Sequence, residues 1–412
     1  MVDFRRLEDV DVAGKRVLVR VDFNVPCDDA GNVTDDTRLR AALPTINYLR
    51  GHGAITILMS HFGRPDGKRE SGASLMKLVR PLSEFLHNEV AFAPDCIGAA
   101  TKKAVAQLQD RDVLLLENTR FHPGETQTAD GAMGFDPAFA KQLSDLGEIF
   151  VHDAFSVAHR AQASTSGVAA DLPAYAGLAM ERELDHLSQA LDVPRRPVMG
   201  LVGGAKVSSK IDLLENLVNK LDKLAIGGGM ANTFLAALGH NVGASLCEHD
   251  LKPTALTILE NAKQVNCEIL LPIDVVVAKQ FRAGAAHRVC GLDQVADDEM
   301  ILDAGPMTVN ALADAIDASQ TLVWNGPLGA FELTPFDTAT VEAAKYAAKR
   351  VVQGKLIAVA GGGDTVSALK HAGAADDFTF ISTAGGAFLQ WMEGKPLPGV
   401  EILKKPQIKD RP

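Results

Sequence analysis

Basic and polar side chains recur in the first half of the sequence, at the ends of short aliphatic runs. They are Asp22, Asn24, Ser60, His61, Arg64, Glu117, Asn118, Arg120, His152, Asp153, His159 and Arg160, with Arg38 in a segment rich in turn formers. A guanidinium group matches a pair of phosphate or carboxylate oxygens, so several arginines together would hold a small, multiply anionic ligand. A single arginine more often forms an exposed ion pair of little consequence. Recurrence at the same kind of position therefore favours an anion-binding site.

Glycine-rich turns occupy the corresponding positions in the second half. They are Gly203-Gly204-Ala205-Lys206, Gly227-Gly228-Gly229, Gly361-Gly362-Gly363-Asp364-Thr365 and Ala384-Gly385-Gly386. Glycine lets the backbone approach a ligand closely, and the helix N-terminus that follows offers free N–H groups to a phosphate. One such cluster is usually only a tight turn, but four at strand–helix junctions indicate a nucleotide site.

Two lysines and an aspartate lie in or beside these turns. Ser209-Lys210-Ile211-Asp212 has the pattern of a capping box, which predicts that Lys206 and Lys210 lie at or just before a helix N-terminus. Cations oppose the helix dipole there, and a bound phosphate chain would relieve that conflict. Asp364 could either cap the helix that it opens or hold Mg²⁺ against phosphates. Next to a nucleotide, the magnesium role is favoured.

These residues need a scaffold, and short aliphatic runs alternating with helical periods predict parallel sheets covered by helices. The predicted strands are residues 16–23, 54–60, 112–117, 148–153, 197–202, 223–226, 268–277, 321–324, 355–360 and 378–382. In open parallel sheets, ligands bind beyond the carboxyl ends of the strands. The polar and glycine-rich residues follow the predicted strands, so they are expected at those edges.

The chain length predicts more than one domain, because 412 residues exceed what a single hydrophobic core usually supports. A helical pattern from about Tyr175 to Leu191 ends at Pro194-Arg195-Arg196-Pro197, where the prolines interrupt the chain. We expect an N-terminal domain over residues 1–175, a helical hinge over 176–196, a C-terminal domain over 197–393 and a tail over 394–412 that returns to the N-terminal domain. The predicted fold class is α/β, with two doubly wound parallel-sheet (Rossmann-like) domains.

Composition excludes several function classes. The formal net charge of −11 would repel nucleic acids and anionic membrane surfaces, so neither is an expected partner. The N-terminal residues mix charges and lack the apolar core of a secretory signal, which favours a cytoplasmic location. The uncharged run from Leu224 to Cys247 is rich in glycine and is predicted to be a strand, a turn and a helix rather than a membrane span. Five cysteines without C-x-x-C spacing predict reduced thiols and no disulfide or zinc framework.

Common nucleotide and hydrolase motifs are missing. The sequence contains no G-x-x-x-x-G-K-[ST], G-x-G-x-x-G, G-x-S-x-G or H-E-x-x-H. A general phosphoryl-transfer site is left as the favoured interpretation. Two alternatives stay open: a nicotinamide-dependent dehydrogenase, which should carry a dinucleotide fingerprint, and a non-catalytic nucleotide-binding protein, in which the lysines and Asp364 would be expendable.

Seven segments, spread in order over essentially the whole chain, resemble the motif series of the phosphoglycerate kinase family. They are Arg20-Val21-Asp22-Phe23-Asn24-Val25-Pro26, Ser60-His61-Phe62-Gly63-Arg64-Pro65, Glu117-Asn118-Thr119-Arg120-Phe121, Asp153-Ala154-Phe155 with Ala158-His159-Arg160-Ala161, Gly203-Gly204-Ala205-Lys206-Val207, Trp324-Asn325-Gly326-Pro327 and Gly361-Gly362-Gly363-Asp364-Thr365. The resemblance implies a reversible, Mg²⁺-dependent transfer between 1,3-bisphosphoglycerate and ADP, giving 3-phosphoglycerate and ATP. It further implies a carboxyl-group phosphotransferase that acts in glycolysis and gluconeogenesis as a hinge-bending monomer.

The resemblance also implies roles for individual residues. Those expected at the glycerate and its 3-phosphate are Arg20, Asp22, Phe23, Asn24, Arg38, His61, Phe62, Gly63, Arg64, Arg120, His159 and Arg160. Those expected at the nucleotide are Gly203, Lys206, Lys210, Gly227, Gly228, Asn325, Glu332, Gly361, Gly362, Gly363, Asp364 and Thr365, with Asp364 on the metal. The expected catalytic groups are Arg38, Lys206, Lys210, Gly385 and Gly386. Three positions depart from the family pattern, namely Phe62, Ala384 and Gln390.

Overall fold

Alternating strands and helices build two separate parallel sheets in the computed structural model, which describes residues 3–405. The chain divides into two units, one formed by residues 3–185 with 396–405 and the other by residues 186–395. The first division falls between Asp185 and His186, and the second between Lys395 and Pro396. We call them the first and the second unit.

The sheet of the first unit has six parallel strands in the order β3-β4-β2-β1-β5-β6. The strands are β1 (Arg16–Arg20), β2 (Ile55–Met59), β3 (Val90–Ala93), β4 (Val113–Leu116), β5 (Ile149–His152) and β6 (Ala174–Ala176). The helices are α1 (Thr37–Gly51), α2 (Val79–Leu86), α3 (Gly98–Ala106), α4 (Pro137–Ser144) and α5 (Leu178–Leu191), whose last residues belong to the second unit. Val17, Val19, Leu58, Leu115 and Val151 are buried in one core cluster, as expected of strands covered on both faces.

The second unit has a parallel six-stranded sheet in the order β15-β14-β13-β7-β8-β9 and a three-stranded antiparallel sheet in the order β11-β10-β12. The strands are β7 (Val198–Val202), β8 (Lys223–Ile226), β9 (Glu268–Leu270), β10 (Asp274–Ala278), β11 (His287–Gly291), β12 (Met300–Ala304), β13 (Thr321–Asn325), β14 (Ile357–Gly361) and β15 (Phe380–Ser382). The helices are α6 (Ile211–Val218), α7 (Gly228–Ala237), α8 (Lys252–Gln264), α9 (Pro306–Asp317), α10 (Thr338–Val352), α11 (Gly363–His371) and α12 (Gly385–Met392). The short helix α13 (Pro398–Glu401) belongs to the first unit.

The α/β fold class with two parallel sheets is confirmed, but the predicted single strand over residues 268–277 is wrong. That stretch forms β9 and β10, which belong to different sheets, and Pro272 lies between them. Proline cannot donate to a strand ladder, so the break falls where the backbone loses its N–H group. The antiparallel sheet was not predicted, because β11 is mostly exposed and lacks an aliphatic run.

Two further expectations can be compared directly with the fold. The predicted helix from Tyr175 begins only at Leu178, because residues 174–176 pair with β5 as strand β6. The run from Leu224 to Cys247 contains a buried strand, a glycine turn and helix α7, as predicted. Among residues 3–405, no helix is long and apolar enough to cross a membrane. All five cysteines are free thiols.

Candidate active site

Four neighbouring strands carry the basic residues of the first unit to one edge of its sheet. Arg20, the last residue of β1, lies in register with Met59 at the end of β2 and with His152 at the end of β5. Because these strands are parallel, the loops that follow them leave the same edge. The structure thus brings together polar residues that are far apart in sequence, and we call this group the basic pocket.

Arg20 lies at the bottom of the basic pocket and is completely buried. Its Nε donates to Ser164 Oγ at 2.8 Å, and its Nη2 lies 3.0 Å from His61 Nδ1. Ser164 Oγ in turn donates to the buried carboxylate of Glu125 at 2.5 Å. Glu125 and Ser164 were not predicted, because nothing in their local sequence marks them as partners of a distant arginine. Glu125 supplies negative charge that a buried guanidinium requires, and Ser164 bridges the two groups.

The basic pocket carries an excess of positive charge around His61 and Arg120. Burial, followed by the charge of Arg20 and then of Arg120, lowers the pKa of His61 well below its usual value, so the ring is neutral. Burial, followed by the charges of Arg20 and Arg160, lowers the pKa of Arg120 to about 10. Cations that repel each other in a recess are stabilised when an anion binds among them. This excess charge is the electrostatic signature of an anion site.

Backbone and side-chain hydrogen bonds hold the rim of the basic pocket in place. Arg38 Nη1 donates to the Asn24 carbonyl at 2.8 Å and lies 3.1 Å from Asp22 Oδ2. Arg120 Nη1 donates to the Gly63 carbonyl at 2.8 Å, and the Gly63 N–H donates to Asn24 Oδ1 at 2.9 Å. The loops after β1, β2 and β4 are therefore tied to one another at the site.

The remaining predicted residues of this pocket differ in exposure. Arg64 and Arg160 are exposed, and Arg160 Nε lies 3.2 Å from His159 Nε2. Within residues 3–405, Arg64 makes no hydrogen bond or ion pair, so its guanidinium is available to a ligand. The ring of Phe23 is fully buried in the core, which leaves only its backbone for contact with a ligand, whereas Phe62 is half-buried.

The second unit contains a cavity of about 610 Å³ beyond the strand ends of its parallel sheet. Gly228 and Gly229 at the start of α7 lie on one side, and Glu332 and Asp364 also line the cavity. Its other lining residues are largely apolar and include Leu246 and Phe331. A cavity of this volume, mostly apolar with a few polar groups, suits a nucleoside and its phosphates.

Lys210 makes three hydrogen bonds beside this cavity. Its Nζ donates to the Gly203 carbonyl at 2.6 Å, to the Asn325 carbonyl at 3.1 Å and to Asn325 Oδ1 at 2.7 Å. An ammonium group has three donors, so contact with a phosphate requires it to give up at least one of these bonds. Burial lowers the pKa of Lys210 to about 8, and the charge of Asp364 opposes that shift. Asn325 Nδ2 also donates to the Gly361 carbonyl at 2.9 Å.

The capping box predicted at Ser209 is wrong. Helix α6 begins at Ile211 with Lys210 at the cap position, and no side chain caps its first turn. Ser209 Oγ donates instead to the Lys206 carbonyl at 2.8 Å, because the chain before the helix folds back as a turn. The expected placement of Lys206 and Lys210 just before the helix is found, and Lys206 is exposed there.

Glycines of this unit are required chiefly by close backbone packing. A Cβ atom at Gly203 would lie 1.8 Å from the Pro327 carbonyl oxygen. Gly228 has a φ of +67°, and a Cβ there would lie 2.7 Å from the Gly204 carbonyl oxygen. A Cβ atom at Gly227 would lie 2.6 Å from Leu328 Cδ2. The glycine-rich turns thus fit tightly against one another at the wall of the cavity.

The start of helix α11 combines a free carboxylate with a structural hydroxyl. Thr365 is buried, and its Oγ1 accepts the Gly326 N–H at 2.7 Å. Asp364 is exposed, lines the cavity and makes no capping hydrogen bond, since the N-cap residue is Gly362. One carboxylate at a nucleotide-sized cavity fits Mg²⁺, which usually takes one or two protein carboxylates and completes its shell with phosphates and water.

Helix α12 presents its exposed N-terminus through Gly385 and Gly386. Ala384 precedes them with a φ of −98°, which any residue adopts, and its side chain is buried. Its methyl group therefore points away from solvent and leaves the N–H groups of the helix end accessible. This departure from the family pattern does not block that end of the helix.

Comparisons with known proteins decide the family of the chain. The model of one family, described as phosphoglycerate kinase, matches residues 7–395. The chain belongs to the phosphoglycerate kinase family. It is 60% identical over 401 residues to a phosphoglycerate kinase from Rhodopseudomonas palustris, covering 97% of the chain and 98% of that relative. It is 58% identical over 405 residues to the phosphoglycerate kinase of Xanthobacter autotrophicus, covering 98% and 100%.

A solved structure agrees with this membership. The phosphoglycerate kinase from Coxiella burnetii superposes with a TM-score of 0.88 at 40% identity, covering 97% of this chain and 98% of that one. The chain is therefore a kinase and a phosphotransferase, and its reaction is the glycolytic phosphoryl transfer of the phosphoglycerate kinase family. The interpretation as a dehydrogenase is excluded by the same findings.

Proposed function

We propose that the basic pocket binds the glycerate and its 3-phosphate. The supporting observation is the mutual repulsion of Arg20, Arg120 and Arg160 around the neutral His61, which an anionic ligand would relieve. Asp22 and Asn24 lie on the rim and suit the hydroxyl and carboxylate groups of a glycerate. Arg38 contacts both residues and would meet the end of the substrate that carries the transferring phosphoryl group.

The cavity of the second unit is proposed to hold ADP or ATP. Glu332 would accept hydrogen bonds from the ribose hydroxyls, and the glycine-rich starts of α7 and α11 would receive the phosphates. Asp364 would hold Mg²⁺, which when bound neutralises phosphate charge and orients the phosphate chain. Gly361, Gly362 and Gly363 form the turn that brings Asp364 to the cavity.

The proposed chemistry is positioning and charge stabilisation. An acyl phosphate is a good leaving group and the attacking oxygen of ADP already carries charge, so no general base is required. Lys206, Arg38 and the N–H groups at Gly385 and Gly386 would stabilise the equatorial oxygens. Lys210 would join them by exchanging one of its carbonyl contacts for a phosphate oxygen.

The two ligands are assigned to different units, so we also propose that the units close about the region of α5 during turnover. Closure would exclude water, which otherwise competes as phosphoryl acceptor. Small-angle scattering with and without both substrates tests this, and unchanged dimensions would contradict it. A monomeric, cytoplasmic enzyme is the corresponding proposal for its state and location, by analogy with its family.

Turnover of 3-phosphoglycerate and MgATP tests the proposed site directly. The variant Arg38→Ala should lose about 10³-fold in turnover, by analogy with arginines that stabilise phosphoryl transfer elsewhere. Arg80→Ala is the matched control, because Arg80 is 89% exposed on α2 and, within the part of the chain that the structure describes, its side chain pairs with Glu84 alone. Near-normal turnover of Arg38→Ala would remove Arg38 from the catalytic set, and no turnover by the unaltered chain would favour a non-catalytic nucleotide-binding role.

A further inference from the structure

A second cluster of ligand-type side chains lies in the first unit outside the residues assigned to the substrate. Asp95 and Cys96 follow strand β3, and His122 follows strand β4. Since β3 and β4 are parallel neighbours, the segments after them leave the same edge of the sheet. A carboxylate oxygen of Asp95, the sulfur of Cys96 and a ring nitrogen of His122 all lie within 4.8 Å of one another.

Hydrogen bonds and packing hold these three side chains in place. His122 Nε2 lies 2.7 Å from Asp95 Oδ1, and the Cys96 N–H donates to the same oxygen at 2.7 Å. Thr101 Oγ1 donates to the Asp95 carbonyl at 2.9 Å, which ties the loop to helix α3. The ring of His122 stacks on Phe139, with ring centroids 5.1 Å apart. The cluster is thus largely preformed.

The thiol of Cys96 is buried beside two other side chains of ligand type. Cys96 is fully buried, and its Sγ makes no hydrogen bond with the other residues of the described range. A buried sulfur that faces an imidazole and a carboxylate is arranged as a ligand.

We propose that Asp95, Cys96 and His122 form a binding site for a zinc-type divalent cation. One sulfur, one nitrogen and one oxygen ligand suit a borderline-soft metal and leave a fourth, open position on a tetrahedral ion. Bond lengths of about 2.0–2.3 Å place such ligands roughly 3.3–3.8 Å apart. Asp95 Oδ1 and His122 Nε2, which lie 2.7 Å apart, therefore exchange their hydrogen bond for bonds to the metal and separate by about 0.6 Å, while the more distant ligand atoms move closer to the metal. On binding, the Cys96 thiol releases its proton to solvent and the metal–sulfur bond forms.

The neighbouring charge is compatible with this site. Arg69 Nη2 lies 3.3 Å from Asp95 Oδ2, the carboxylate oxygen that does not face His122. Arg69 can therefore orient the carboxylate from outside while Oδ1 turns to the metal. A divalent cation with one thiolate and one carboxylate is electrically neutral, so binding with loss of the thiol proton changes the charge of the cluster from −1 to zero. Sequence spacing could not reveal this site, because His122 is separated from Cys96 by a strand and a helix.

Titration of the untagged full-length chain with Co²⁺ and Zn²⁺, in excess Mg²⁺ to occupy oxygen-rich sites, tests the proposal. We expect one ion per chain at micromolar protein and a thiolate-to-cobalt charge-transfer band in the near ultraviolet. Cys96→Ala should abolish that band and weaken zinc binding at least about 10-fold. Cys267→Ala, which removes a buried thiol of the second unit, should leave both unchanged.

A second variant covers the case in which Cys96→Ala does not fold. His122→Gln keeps the buried thiol and should weaken zinc binding by a similar factor while circular dichroism stays normal. Absence of the cobalt band in the unaltered chain, or equal affinity in Cys96→Ala or His122→Gln, would overturn the proposal. The readouts do not depend on turnover, so they are independent of the proposed kinase site.

Discussion

Replacing Glu125 by glutamine tests whether a buried carboxylate stabilises the basic pocket. Glu125 and Arg20 are both fully buried and are bridged by Ser164, so the carboxylate compensates a charge that water cannot reach. Glutamine has nearly the same shape and can still accept the Ser164 N–H, but it removes the carboxylate whose charge acts most strongly on the guanidinium. Removing one partner of a buried charge pair usually costs about 3–5 kcal/mol.

That cost should appear as a large and local loss of stability. At about 2–4 °C per kcal/mol for a unit of this size, the first unit of Glu125→Gln should melt roughly 6–20 °C lower. The control Glu84→Gln breaks an exposed pair with Arg80 on α2 and should cost only about 0.3–0.5 kcal/mol.

The assay can separate the two units. Trp324 and Trp391 both lie in the second unit, so tryptophan fluorescence serves as an internal reference, whereas circular dichroism follows both units. We expect an early transition in circular dichroism that fluorescence does not report. If Glu125→Gln melts within the range of Glu84→Gln, the carboxylate is not the compensating charge, and the account of the buried arginine fails.

Three further predictions concern single positions. Lys210→Met should weaken MgATP binding by about 10–150-fold, the value of a charge-assisted hydrogen bond of about 1.5–3 kcal/mol, whereas the exposed Lys263→Met should not change it by calorimetry. Gly203→Ala should unfold or severely destabilise the second unit by denaturant titration, because its Cβ would lie 1.8 Å from a carbonyl oxygen; a normal midpoint would contradict the packing described here. Asp153→Asn should change how the stability of the first unit depends on pH. Burial raises the pKa of Asp153 from 3.8 to about 7, so its stabilising contribution is full below pH 3.8 and is lost as the pH rises to about 7. Burial lowers the pKa of His152 from 6.5 to about 3, so its contribution is present above pH 6.5 and is lost as the pH falls. The two contributions therefore change with pH in opposite directions. Asp153→Asn removes the one that falls with pH, so between about pH 4.5 and 6 its unfolding free energy should rise by about 1.4 kcal/mol per pH unit more steeply than that of the unaltered chain. Equal slopes in the two proteins would refute this.

Local sequence patterns were sufficient to predict the fold class and most of the candidate site residues. Aliphatic runs are local signals for strands, and residues such as His61 and Asp364 come shortly after such runs in the sequence. Because parallel strands deliver their carboxyl ends to one edge, a pattern along the chain becomes a site in space without further information.

Predictions from local sequence pattern were wrong at a helix start where another hydrogen bond formed, and they missed a strand that is exposed. Ser209 and Asp212 have the spacing of a capping box, yet Ser209 bonds to the Lys206 carbonyl, because the turn before α6 brings that carbonyl within reach. Strand β11 escaped prediction because its polar, exposed residues are stabilised by pairing with β10 and not by burial.

The pairing of buried charged and polar groups became visible only in the folded chain. Arg20 is hydrogen-bonded to Ser164, 144 residues away in sequence, and Lys210 is hydrogen-bonded to Asn325, 115 residues away. Cys96 meets His122 in the same way, across a strand and a helix. An unpaired charge or polar group is costly when it is buried, so each such group needs a partner nearby in the folded chain. Spacing along the sequence does not show which residues become neighbours on folding.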